Sequence, residues 1–300
     1  ESMPEVGRPL ADIVAQVEHD VMADANRLAH PMYMGHQVSF PLSTAVWTDA
    51  VISALNQSVA VEEMSPTLTA LEHRVVRWMC DAVGFPRESG GTLTSGGTEA
   101  TFTALLSARA AALPDAWMNG VTEPRPVVLC GEHTHYAVTR AVAELGLGMR
   151  SAIVIPSSDY RMDGGALARE LARLREREIP VMAVVATAGH TATGAFDDID
   201  TIGRVCEDAG LWLHIDGAHG ATAVLSERHR YRVRGIERAR SIAWDPHKMM
   251  LLPLPAGMQL VRSERDLQAA FAQRAPYLFH GDGESTRVRD QGVRSFQCSR

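Results

Sequence analysis

The strongest constraint on the fold lies between residues 92 and 261, where short uninterrupted apolar runs alternate with stretches of helical period. The apolar runs cover 127–130, 152–155, 181–186, 211–215, 241–244 and 257–261, each the length of a strand. Between them, 98–113, 136–145, 165–178 and 199–209 repeat their apolar residues at helical spacing. A strand buried on both faces reads as a continuous apolar run, and helices are the usual crossovers between parallel strands. The alternation predicts an α/β fold with a mostly parallel central sheet and helices on both faces. With 46% apolar positions in 300 residues, the chain has enough apolar material to bury such a core. That content excludes disorder, and the lack of any short repeat excludes collagen-like and coiled-coil architectures.

Upstream, positions 13, 14, 17, 21, 25 and 28 predict a helix over 11–28. A stretch rich in breakers and His follows, from His30-Pro31 to Gly35-His36. Ser65-Pro66 then opens a second helix, with the cap residue and the first-turn Pro in their preferred places. Its face is Leu68, Leu71, Val75, Met79 and Val83, and Gly84 ends it. The expected organisation is an N-terminal helical segment, 1–60, ahead of one large domain, 61–300. The apolar face of helix 11–28 has too little chain around it to be covered locally. A second copy in a homodimer is the expected cover.

Net charge is −7, so no basic field is present for nucleic acid or an anionic membrane surface. No apolar stretch reaches the length of a membrane span. Cys80, Cys130, Cys206 and Cys298 are far apart, which argues against a metal cluster or a disulfide framework. With no recognisable signal peptide at the N-terminus, the expected compartment is the cytoplasm.

Of the 29 basic residues, 28 are Arg and one is Lys, at position 248. A bias toward Arg codons accounts for the 28 but not for the exception. A guanidinium stays protonated, whereas a Lys amine can lose its proton and act as a nucleophile, as in Schiff-base chemistry.

Four polar stretches fall at the carboxyl ends of expected strands or at the start of a helix, where α/β sheets bind ligands. The small-residue loop Thr94-Ser95-Gly96-Gly97-Thr98 runs into a helix and suits a phosphate, although such turns are common without one. Asp216, after the strand 211–215, either caps its loop or holds a buried cation. Gly217 and Ala218 beside it leave room for a flat ring. His133-Thr134-His135-Tyr136 follows the strand 127–130, and a His there is more often structural. Asp245-Pro246-His247-Lys248 presents the unique amine. Taken together they describe one ligand: a phosphate on a helix N-terminus, a ring between His135 and Ala218, a ring nitrogen on Asp216 and an aldehyde on Lys248. That ligand is pyridoxal 5′-phosphate.

The sequence resembles the group II pyridoxal-phosphate-dependent amino-acid decarboxylases, relatives of the glutamate, aromatic-L-amino-acid and diaminobutyrate decarboxylases. The resemblance runs from about His30 to the last residue. It rests on His30-Pro31, Asn56-Gln57, Ser65-Pro66 with Leu71-Glu72, Thr94 to Ala100, and His135-Tyr136. Further on it rests on Ala186-Thr187-Ala188-Gly189, Trp212 to Gly220, and Asp245 to Lys248.

It implies the fold type I large domain of the pyridoxal-phosphate transferases and a homodimer. It implies Lys248 as the Schiff-base lysine, Asp216 as partner of the ring nitrogen, and His135 stacked on the ring opposite Ala218. Ser95, Gly96, Gly97 and Thr98, with His247, would hold the phosphate, and Thr191 would contact the cofactor. The segment 30–40 would line the substrate pocket.

Three features depart from the family pattern. His190 breaks a usual Gly-Thr-Thr. The region matching the family's mobile catalytic loop, roughly 281–294, has no Tyr, with Tyr277 falling before it. The family's small C-terminal domain is not among these 300 residues. The expected reaction is decarboxylation of an L-amino acid to its amine. The alternatives are another fold type I reaction, such as aldehyde synthesis or carbon–carbon cleavage, or an inactive partner subunit.

Overall fold

The computed structural model describes residues 2–271 and 290–296. The N-terminal segment holds α1 (Leu10–Gln16), which runs into a π-helical turn at Val17–Met22, and α2 (Ser43–Leu55). Helix α3 (Pro66–Ala82) leads into β1 (Gly90–Thr94), α4 (Gly97–Ala112) and the short α5 (Ala116–Asn119). Next come β2 (Val127–Gly131), α6 (Ala137–Glu144) and β3 (Ala152–Ile155). A small hairpin, β4 (Ser157–Ser158) with β5 (Arg161–Met162), precedes α7 (Gly164–Glu176). The remaining elements are β6 (Val181–Thr187), α8 (Ile199–Ala209), β7 (Trp212–Asp216), β8 (Ser241–Trp244), β9 (Gly257–Val261) and α9 (Glu264–Ala270).

Seven strands form the main sheet in the order β1-β9-β8-β7-β6-β2-β3. Strands β8, β7, β6, β2 and β3 are parallel, and β9 is antiparallel to both of its neighbours. Strand β1 therefore points the same way as β8, and the carboxyl ends of six strands share one edge of the sheet. This is the predicted α/β architecture.

Both faces are covered, as continuous apolar strands require. On one face Met79 of α3, Leu167 and Leu174 of α7, and Ile199 and Ile202 of α8 pack with Leu129, Val184, Leu213 and Ile215. On the other, Leu105 of α4, Val138 and Val142 of α6, and Leu267 of α9 pack with Val128, Val185, Trp212 and Val261. Val184 and Val185 enter opposite cores because successive strand residues point to opposite faces. Burying each such large side chain contributes about 1.5–3 kcal/mol.

Three differences from the sequence expectation have physical causes. The helix expected over 11–28 leaves α geometry at Val17 and ends at Met22. Every residue of it is exposed, and a helix without tertiary cover has little to hold it at that length. Strand β1 does not read as apolar because it begins Gly90-Gly91. A Cβ at Gly91 would stand 2.4 Å from the Gln259 carbonyl oxygen, so close pairing with β9 demands glycine there. Helix α2 buries no residue, so it shows no single apolar stripe to read.

Cys80, Cys130 and Cys206 are free and buried, and burial pushes the thiols of Cys130 and Cys206 up to about 11 and about 12. Cys298 and Tyr277 lie outside the described residues, as does most of the segment 281–294. No helix among the described residues is long and apolar enough to cross a membrane.

Candidate active site

Along the shared edge, β1, β2, β6, β7 and β8 each end in a loop that contributes to one cavity of about 410 Å³. That volume lies in the ordinary range for small-molecule sites. Ser95, Gly96, Gly97 and Thr98 line it from the turn between β1 and α4. His135 comes from the loop after β2, Thr191 from the loop after β6, and Asp216 and Ala218 from the end of β7. His247 and Lys248 come from the turn after β8. All ten residues singled out in the sequence thus meet in one place.

The turn into α4 is built for close approach. A Cβ on Gly97 would lie 2.9 Å from Ala218 Cβ and 3.0 Å from Asp245 Oδ2. A Cβ on Gly257, at the start of β9, would lie 2.5 Å from Gly96 Cα. Neither position tolerates a side chain without displacing its neighbours. Glu99, in the first turn of α4, accepts the Ser95 N–H through Oε2 at 2.7 Å and holds the turn against the helix. Negative charge is favourable at a helix N-terminus, for Glu99 and for an anionic ligand alike.

Of the three cavity histidines, His135, His219 and His247, the first and last have tautomers fixed by backbone donors. His135 Nδ1 accepts the Ala137 N–H at 3.2 Å, which leaves the proton on Nε2. Burial holds its pKa below the usual range, the strongest of several influences, with Lys248 acting the same way and Asp216 against it. His247 Nδ1 likewise accepts the Ala256 N–H at 3.1 Å, and the two residues also bond through His247 N–H and Ala256 carbonyl at 3.1 Å. His247 therefore offers Nε2–H as a donor, and burial also lowers its pKa.

Asp216 is buried, beside Thr187 and Ala243 in the sheet register, and its Oδ1 accepts the Ala218 N–H at 3.3 Å. That is a loop-capping bond. The same carboxylate also lines the cavity, so the two readings left open for Asp216 are compatible.

Three residues carry more of the site than the sequence disclosed. Asp245 Oδ2 lies 3.1 Å from Lys248 Nζ, with the carboxylate 2% exposed and Oδ1 without a partner. Burial raises the Asp245 pKa, and the charges of Lys248 and His247 oppose that rise. Asp245 stood within a quoted motif, and its spacing of three residues from the only Lys was the available signal. Thr187 Oγ1 is a second buried oxygen without a partner at the cavity wall. Gln37 reaches the cavity from the segment 30–40.

This donor set fits pyridoxal 5′-phosphate. The Gly96-Gly97 turn at a helix N-terminus suits a phosphate, and His135 and Ala218 both line the cavity. An amine stands at Lys248, and unpartnered buried oxygens at Asp245 and Thr187 can take further hydrogen bonds.

Comparison with known proteins agrees with this geometry. The model of the pyridoxal-dependent decarboxylase conserved domain matches residues 1–300. The L-2,4-diaminobutyrate decarboxylase of Rhizobium meliloti (strain 1021) is 36% identical over 300 residues, covering 99% of this chain and 59% of that protein. The acidic amino acid decarboxylase GADL1 of Mus musculus is 31% identical over 292 residues, 96% of this chain and 53% of that one. The crystal structure of mouse CSAD superposes with a TM-score of 0.92 at 28% identity, over 100% of this chain and 62% of its own. The glutamate decarboxylase domain of a diaminobutyrate-pyruvate transaminase and L-2,4-diaminobutyrate decarboxylase from Vibrio parahaemolyticus gives a TM-score of 0.85 at 30% identity. There 90% of this chain and 60% of that one are covered. The chain thus spans less than two thirds of the length of each of these relatives. By its sequence, its fold type I sheet and the residues gathered at the edge of that sheet, the chain belongs to the pyridoxal-dependent decarboxylase family.

Proposed function

We propose that this protein decarboxylates an L-amino acid to the corresponding amine, using pyridoxal 5′-phosphate held in the cavity. The observation that carries the reading is Lys248. The only lysine in the chain stands in the cavity with its amine 3.1 Å from a buried carboxylate. When bound, the cofactor supplies an electron sink for the pair left behind as the substrate's α-carboxylate departs.

The residues divide the work. Ser95, Gly96, Gly97, Thr98 and the His247 Nε2–H would take the phosphate. Lys248 would bond the aldehyde carbon, for which its nitrogen must be free of its third proton. Asp245 Oδ2 is placed to accept that proton, and its burial makes it a better base than an exposed carboxylate. Asp216 would keep the ring nitrogen protonated, because a buried carboxylate stabilises an adjacent cation. His135 and Ala218 would hold the ring flat between them. Thr191 and Gln37 stand where they can meet the cofactor or the substrate.

The active unit in this reading is a homodimer, with the segment 1–60 as the dimerisation element and 61–300 as the cofactor-binding domain. Leu10, Trp47, Val51 and Leu55 are 75%, 74%, 58% and 55% exposed, which is unusual for such side chains unless a partner covers them. Free, buried thiols fit a reducing compartment, so the cytoplasm is the proposed location. Incubation with the cofactor and single amino acids, scoring CO2 and amine together, tests the activity. Release of both from at least one amino acid is expected, and no release from any would contradict it.

A further inference from the structure

The proposed reaction leaves His190 unused. It is 1% exposed, in the loop that follows β6. Its Nδ1 lies 3.1 Å from the carbonyl oxygen of His133, and its Nε2 lies 3.1 Å from Asp197 Oδ1. A neutral imidazole has one N–H and can satisfy only one of two acceptors. Here both partners accept. One is a backbone carbonyl. The other is a carboxylate that already receives the Met162 N–H on Oδ1 at 2.8 Å and the Thr187 N–H on Oδ2 at 2.7 Å. Only the doubly protonated ring completes this arrangement.

The bonds tie the loop after β2 to the loop after β6, two neighbouring strands of the sheet. His133 precedes His135 in the loop after β2, and Thr191 follows His190 directly. Thr187, bonded to the same Asp197, pairs with Asp216 in the sheet. Resting on the cofactor reading of the cavity, we infer that His190 is a positioning residue. As an imidazolium it pins the His135 segment to the end of β6 and so sets the slot between His135 and Ala218.

The groups facing it come from four places. Asp197 lies on its own loop and Asp216 at the end of β7, while the His133 ring is 6.2 Å away between centroids. Tyr160, in the hairpin turn, packs on that His133 ring at 5.4 Å. Burial opposes the His190 charge most strongly, but Asp197, the His133 carbonyl and Asp216 together outweigh it, leaving the pKa above 6.5.

The test uses the full chain in two arms. In the first, nitrogen NMR on protein labelled in its histidines, without added cofactor near neutral pH, should show one ring protonated on both nitrogens. That signal should vanish in His190→Gln. A neutral ring at position 190 overturns the inference while leaving the cofactor reading intact. In the second, pyridoxal 5′-phosphate is titrated across a range of pH and followed by circular dichroism of the bound chromophore. His190→Gln should bind roughly tenfold or more weakly, with altered ellipticity, because small displacements at a preorganised site are costly. The parent's advantage over the variant should shrink as pH rises and the His190 ring loses its proton. Equal affinity, ellipticity and pH profile would overturn the inference. Should the variant not fold, His190→Asn replaces it in both arms, and a neutral ring at position 190 in the parent still overturns the inference. A parent that takes up no cofactor overturns the cofactor reading and this inference with it.

Discussion

Helix α3 buries Thr69, Glu72, Val76, Met79 and Cys80, whereas α2, of 13 residues, buries none. Both lie ahead of the sheet in sequence, and both carry enough apolar residues to fold against something. The difference is what surrounds them. Helix α3 has β1 and β9 to pack on, while α2, whose N-terminal cap Leu42 donates its N–H to the Leu251 carbonyl at 2.9 Å, leaves all its side chains at least partly exposed among the described residues. Apolar content decides whether a helix can be buried, and topology decides whether this chain does the burying. The sheet edge that carries the site is assembled within one chain. The segment that sends Gln37 into that site carries exposed apolar side chains, among them Trp47 and Val51.

That contrast can be broken from either side. The largest effect is expected from Lys248→Ala, which should lower decarboxylation by several orders of magnitude and leave the oligomeric state unchanged. Turnover assays beside light scattering check both halves. Asp216→Asn should retain the cofactor yet lose about a hundredfold in turnover, the scale for one preorganised electrostatic contact. Near-normal turnover would reduce Asp216 to a loop cap. Gly97→Ala adds a Cβ 2.9 Å from Ala218 Cβ. Overpacking of about 1–3 kcal/mol should weaken cofactor binding tenfold or more, with the fold retained.

On the other side, if the proposed homodimer forms through this segment, Trp47→Ser with Val51→Ser should shift it to monomer. The thermal unfolding of the sheet should barely change, since neither residue is buried in the chain itself. Two transitions, by light scattering and by circular dichroism, should separate. If both fall together, the segment and the sheet are one cooperative unit.

Two buried histidines sharpen the picture of the site-bearing region through pH. His214 lies below Asp216 in β7, and burial pushes its pKa down to about 4. A depressed pKa gives stability that is full above the unfolded value of 6.5 and falls as pH drops toward 4, by roughly 3 kcal/mol. His190 has the opposite sign. Its raised pKa gives stability that is full below 6.5 and is lost as pH rises through the folded value. Denaturant midpoints across pH should fall on both sides of an optimum, and His190→Gln should remove the alkaline limb.

The pattern of apolar runs made the sheet legible because strands buried on both faces leave no other reading. Helix α4 and the turn before it were equally plain. Strand β1 was not, since Gly90 and Gly91 answer to β9, which lies far along the chain. Helix α2 was invisible for the reason it is exposed: among the described residues it buries no side chain, so it carries no stripe set by a core. In the site, residue chemistry pointed to Lys248, Asp216 and Ala218, and the resemblance supplied the part of Thr191. What stayed hidden was pairing. The His190 ring between Asp197 and the His133 carbonyl depends on two loops meeting in space, and no spacing along the sequence encodes an acceptor on both sides of a ring.

The central claim is that Lys248 is the amine that bonds the cofactor. Borohydride reduction of the protein saturated with pyridoxal 5′-phosphate, followed by peptide mapping, tests it most directly. The account predicts a single reduced adduct on the peptide containing Asp245, His247 and Lys248, preceded by a visible absorption band that reduction bleaches. Saturated, folded protein with no such band, or with the adduct anywhere other than Lys248, would contradict it.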